Sequence, residues 1–190
     1  MYEGLNKVFW GIFIATFNLN LGPIKILPAF VGFMVISSGI NTIYIEHHSE
    51  EFRKALDFSR AAIAISLLGG LIDFFTGGVY QYSLLLQIWP IILMTVELLL
   101  FYNLLMGIIM HFSSVGNLEV SERVMGSSRL YMIIFIINIA ALSFVLLFNL
   151  GGLNTLLAIV FIILRISLMV MISGLKKELI PNNPDENQGM

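Results

Sequence analysis

The chain has 190 residues, 58% of them apolar and 12% charged, with a net charge of −2 and no cysteine. So much apolar surface exceeds what one soluble core of this size can bury, which excludes a water-soluble globular domain. The near-neutral balance argues against nucleic acid as a partner, and the lack of cysteine excludes disulfides, thiol nucleophiles and cysteine metal sites.

A hydrocarbon layer of about 30 Å takes roughly 20 apolar residues per helix. Six stretches qualify: residues 5–21, 27–45, 58–76, 83–110, 130–148 and 153–175. These runs are too long for barrel strands, and lipid-exposed backbone must satisfy its own hydrogen bonds. The expected fold is all-α: a polytopic, six-helix transmembrane bundle built as three hairpins, one domain over residues 1–178. The polar tail, residues 179–190, is expected to be disordered. No small-residue cleavage site follows the first apolar run, so no cleavable signal is expected.

Basic residues set the orientation. Lys7, then Arg53, Lys54 and Arg60, then Arg123 and Arg129, then Lys176 and Lys177 all fall on one side, against Lys25 alone on the other. Both termini are expected to be cytoplasmic, in a bacterial inner or plasma membrane.

In chain order, the first corner runs Phe17-Asn18-Leu19-Asn20-Leu21-Gly22-Pro23 and leads to Pro28, which suits the first turn of the second helix. Gly11 and Ala15, with Gly32 and Gly39, mark faces where helices can touch closely. Ser49 is placed to cap a helix whose first turn holds Glu50 and Glu51. Phe52, Ala55, Leu56 and Ser59 share a face, and this segment is expected to lie along the membrane before the third span. Pro90, about two turns before Glu97, is expected to kink the fourth helix. Residues 113–129 read as a polar, Gly/Ser-rich connection with a weak apolar face at Leu118, Val120, Val124 and Met125. Either long connection offers a docking site for a cytoplasmic protein, or simply rests on its own membrane interface.

The sharpest chemical feature is a pair of deep charges. Glu97 in the fourth span and Arg165 in the sixth lie at matching depths of roughly 20 Å from the outer end. An unpaired charge there costs several kcal/mol, so a salt bridge is expected. Asn103 and Asn138 are the other deep polar groups, and the simplest arrangement gathers all four between helices four, five and six. Such a cluster either binds a substrate or clips helices in register, and two opposite charges without a third ionisable group fit the clip better. A second polar group gathers at the outer ends: Asn18, Lys25, Asp73 and Tyr80, with Asn20, Thr76, Gln81, Tyr82 and Gln87 nearby. These either line a shallow pocket, with Lys25 paired to Asp73, or are ordinary helix ends facing water.

No catalytic constellation emerges. Glu50-Glu51-Phe52-Arg53 lacks the arginine that a Glu-Glu-x-x-x-Arg protease motif needs, because that position is Ala55. Asp73 has no aspartate partner in another span, and no Gly-x-Ser-x-Gly turn exists. His47, His48 and His111 are expected at the cytoplasmic surface without metal-ligand spacing. No enzyme, metal or cofactor is expected.

Asn20, Gly22, Ile26, Leu27, Pro28, Phe30, Val31 and Gly32 carry one resemblance. They look like the first hairpin of small, uncharacterised bacterial membrane proteins with an Asn-x-Gly, Ile-Leu-Pro, Phe-(Val/Ile)-Gly pattern. That family pattern has acidic residues before and after Ile-Leu-Pro, where this chain has Lys25 and Ala29, and the resemblance implies no function. Size, six spans and internal termini are also similar to the substrate-capture subunits of energy-coupling-factor vitamin transporters, although no vitamin-specific motif is present. The function expected is that of a substrate-binding or transport subunit for a small molecule of unknown identity, in which Gly11 and Ala15 meet another membrane subunit. The alternative is a non-catalytic envelope accessory or scaffold protein whose intramembrane charges are structural.

Overall fold

The structure, a computed structural model, describes residues 1–17, 20–21, 24–25, 29–76, 88–148 and 150–179, with residues 20–21 and 24–25 as backbone. Six helices make up the described fold: α1 (Tyr2–Thr16), α2 (Ala29–His47), α3 (Glu50–Thr76), α4 (Trp89–Ser114), α5 (Leu118–Leu147) and α6 (Asn154–Glu178). A 3₁₀ turn at Gly151–Leu153 leads into α6. Five of the helices, α2 to α6, are long and apolar enough to cross a membrane.

The sixth, α1, has 15 residues, or about 22 Å at 1.5 Å per residue, short of a full hydrocarbon layer. Its far end gives way to a two-stranded antiparallel ladder, β1 (Asn20–Leu21) and β2 (Ile24–Lys25), with Asn20 opposite Lys25 and Leu21 opposite Ile24. The corner expected to be a plain helix reversal thus carries a small piece of sheet in an otherwise all-helical fold. Pro28 lies outside the described residues.

Each helix packs against its neighbours in the chain, and α6 returns to pack on α1, which closes a ring. Lys176 ties this closure: its Nζ donates to Asn6 Oδ1 at 2.6 Å and lies over the rings of Phe9 and Tyr2. The start of α1 and the end of α6 therefore share one end of the bundle. Leu5, Val8, Phe33, Ile36, Ile40, Leu100, Phe101, Leu104, Phe135 and Leu168 fill the interior. Outward faces such as Ile133, Ile136 and Ile137 on α5 and Ile159 and Ile163 on α6 remain exposed. An apolar exterior over an apolar interior is what lipid as a solvent requires.

The two longer connections turn out differently from expectation. Residues 50–59 do not lie along the membrane as a separate segment; they are the first turns of α3. Ser49 does cap them, its Oγ accepting from Phe52 N–H at 3.3 Å. The shared face of Phe52, Ala55, Leu56 and Ser59 is buried inside the bundle, continuing the stripe that reaches Ala62 and Ser66. Likewise α5 begins at Leu118, capped by the Asn117 side chain on Val120 N–H, so most of 113–129 is helix. Val120, Val124, Ser128, Tyr131, Phe135 and Asn138 form one buried stripe at helical spacing, which the intervening polar residues obscure in the sequence. Pro90 sits in the first turn of α4, where no N–H is needed. It starts the helix and does not kink it.

The α3–α4 contact depends on a glycine. A Cβ at Gly107 would lie 2.6–3.0 Å from three ring atoms of Phe52, which is 1% exposed. Gly107→Ala should destabilise the protein by about 1–3 kcal/mol through overpacking, measured by unfolding in mild detergent. Since the obstacle is a side chain, adding Phe52→Leu should recover most of that loss.

Candidate functional site

The deep charges meet. The site is built on α4, the most enclosed helix, and α6, and it draws in the end of α1. Arg165 Nε donates to Glu97 Oε1 at 2.8 Å and Arg165 Nη2 to Glu97 Oε2 at 2.7 Å. This is the bidentate fork that a planar guanidinium makes with a carboxylate. Glu97 is 1% exposed and Arg165 7%.

The third guanidinium nitrogen has a backbone partner. Arg165 Nη1 donates to the Ala15 carbonyl at 2.6 Å. The last four carbonyls of a helix lack intrahelical partners, and α1 ends at Thr16, so Ala15 is one of these orphans. A cation at that end also meets the negative pole of the helix dipole. The guanidinium carbon lies 4.6 Å from the centroid of Phe161 and 5.9 Å from that of Phe33. Arg165 therefore joins α6 to α4 through charge, to α1 through a backbone carbonyl and to α2 through a ring.

The expected four-residue cluster does not form as one network. Asn103 turns back on its own helix, its Nδ2 donating to the Leu99 carbonyl at 2.7 Å. Asn138 bridges α5 and α6 by donating from Nδ2 to the Leu157 carbonyl at 3.3 Å, and its Oδ1 is buried without a hydrogen-bond partner among the described residues. Leu157 is eight residues before Arg165, about 12 Å along the helix, so this bridge is separate from the ion pair. Of the outer group, Asn18 and Tyr80 lie outside the described residues, as do the side chains of Lys25 and Asp73. Residue patterns had marked neither the Ala15 carbonyl nor the two rings. Phe161 had a signal in hindsight, four residues before Arg165 on the same face.

Gly11 and Ala15, expected to meet a coupling partner, face α2 within the chain. A Cβ at Gly11 would come 2.8 Å from the Gly32 carbonyl oxygen, and one at Gly32 would come 2.5 Å from Ala15 N.

Four other polar groups meet at the end shared by the termini. His47 and His111 stack with centroids 4.4 Å apart. Glu46 accepts from the Met1 ammonium, whose pKa burial lowers from its ordinary value. No group of three or more His, Asp or Glu among the described residues is arranged to hold a metal ion.

No protein-family model, no curated protein and no solved structure matches this chain.

Proposed function

We propose that the chain is a six-span membrane protein, with both termini on the cytoplasmic side, that serves as a non-catalytic accessory or scaffold protein of a bacterial cell membrane. Its intramembrane charges act as a clip. The observation that carries this reading is the use of all three Arg165 nitrogens within the chain, two on Glu97 and one on Ala15. A guanidinium that captures a substrate turns its nitrogens toward a cavity; each nitrogen of this one already donates to a carboxylate or a helix end, and two rings lie beside it. The basic residues at the end shared by the termini support the orientation.

The substrate-binding or transport reading rests on a single observation, the Asn138 Oδ1 between α5 and α6 that has no hydrogen-bond partner among the described residues. One experiment separates the two: melting of the wild type and Glu97→Gln in detergent, across vitamins, nucleosides, amino acids and lipids. The clip reading expects Glu97→Gln to melt earlier and no soluble ligand to raise the wild-type midpoint. A soluble ligand that stabilises the wild type and not Glu97→Gln would establish binding at the ion pair and end the clip reading.

A further inference from the structure

A groove of about 390 Å³ separates α5 from α6 toward the end where α6 finishes. Arg123, Lys177 and Glu178 line it near the helix ends, Val170 and Met171 along its wall, and Tyr131 farther in. The lining runs eight residues along α5, from Arg123 to Tyr131, and eleven along α6, from Ser167 to Glu178, so the groove is roughly 12–16 Å long. Its outer end is charged and its wall apolar. Glu178 is taken by Arg123, Nη2 to Oε1 at 2.6 Å, while Lys177 has no ion-pair partner among the described residues, leaving the mouth with net positive charge. Room is available beside it, since a Cβ at Gly174 would meet nothing within 4 Å. Tyr131 is 4% exposed, and its hydroxyl lacks a hydrogen-bond partner among the described residues, placing an unused donor beside the groove.

We propose that this groove binds one anionic phospholipid, with its phosphate at Lys177 and Arg123 and an acyl chain against Val170 and Met171. Charge complementarity selects the occupant. Basic grooves between transmembrane helices on the cytoplasmic side meet the leaflet that carries anionic headgroups. A free phosphate would leave the apolar wall uncovered, and roughly 12–16 Å is too short to seat a spanning helix of a partner. The site is independent of the Glu97–Arg165 pair, so it stands whether or not that pair is a clip.

The test is native mass spectrometry of the full chain released from bilayers of mixed phosphatidylcholine and phosphatidylglycerol. The wild type should retain one phosphatidylglycerol in preference to phosphatidylcholine. Lys177→Gln should weaken that preference about fivefold, the effect of one Lys near an anionic surface. Gly174→Leu, which fills the groove from an open position, should abolish retention of either lipid while leaving the melting midpoint in detergent unchanged. The proposal is overturned if the wild type shows no headgroup preference, or if Gly174→Leu retains lipid as the wild type does. Equal binding of glycerol phosphate, which has no acyl chain, would overturn the lipid assignment. A dimer that Gly174→Leu dissolves would identify a second copy as the occupant instead.

Discussion

Arg165→Gln should be among the most damaging single substitutions in this protein, lowering its stability by about 3–5 kcal/mol in detergent unfolding, because it leaves the Glu97 carboxylate buried and unpaired. Glutamine cannot supply the fork that holds both carboxylate oxygens at 2.8 and 2.7 Å, nor does it reach the Ala15 carbonyl and the carboxylate together. The pair itself contributes much less than that figure, since desolvating two ions costs about as much as their attraction returns. A double replacement, Glu97→Met with Arg165→Met, separates the two quantities. It removes both charges and should recover most of the loss. It should not recover all of it, because the Ala15 carbonyl would lose its donor at 2.6 Å, a further cost of about 1–3 kcal/mol for a buried acceptor. A double replacement as unstable as Arg165→Gln would mean that the side chains hold the fold by their shape, and the clip would be the wrong description.

How much of this was legible beforehand depends on whether a contact is made by side chains at known depth or by backbone. Glu97 and Arg165 could be matched from sequence because charge is rare in an apolar run and depth follows from counting residues. The Ala15 carbonyl could not, because every residue carries one, and only the point where α1 stops makes this one available. Six apolar runs were read as spans and five of them are helices of spanning length, yet α3 and α5 extend well past their runs at one end. Phe52, Leu56, Val120 and Val124 lie among Glu, Lys, Arg and Ser, which lower average hydropathy without disturbing the buried stripe. Average hydropathy reports contact with lipid; the stripe reports contact with another helix. Beyond the apolar runs only the second signal continues. Pro90 was misread for a related reason: a proline's effect depends on its distance from the helix start, and α4 starts at Trp89.

The same dependence on backbone makes the α1–α2 seam the other place where a small change should have a large effect. Gly4 meets Gly39 and Gly11 meets Gly32 along the antiparallel pair, so two helix backbones come nearly into contact. A Cβ at Gly32 would stand 2.5 Å from Ala15 N, 2.6 Å from its Cβ and 2.7 Å from its Cα. Two of these three atoms are backbone, which no rotamer change can move. Gly32→Ala should therefore destabilise the protein by about 1–3 kcal/mol, even though alanine favours a helix over glycine by about 1 kcal/mol. Gly174→Ala is the control: in a helix with open space around the new methyl, the same change should be neutral or stabilising. Ala15→Gly should give little rescue of Gly32→Ala, unlike the Phe52 rescue of Gly107→Ala, because only one of the three clashing atoms disappears. The displaced residue is also the one that Arg165 holds by its carbonyl. Moving α1 outward at Ala15 pulls that acceptor from the guanidinium, so Gly32→Ala and the paired methionine replacement should be non-additive, with the glycine change costing less once Arg165 is gone. Full additivity in that cycle would mean that the seam and the ion pair, although they share Ala15, hold α1 independently.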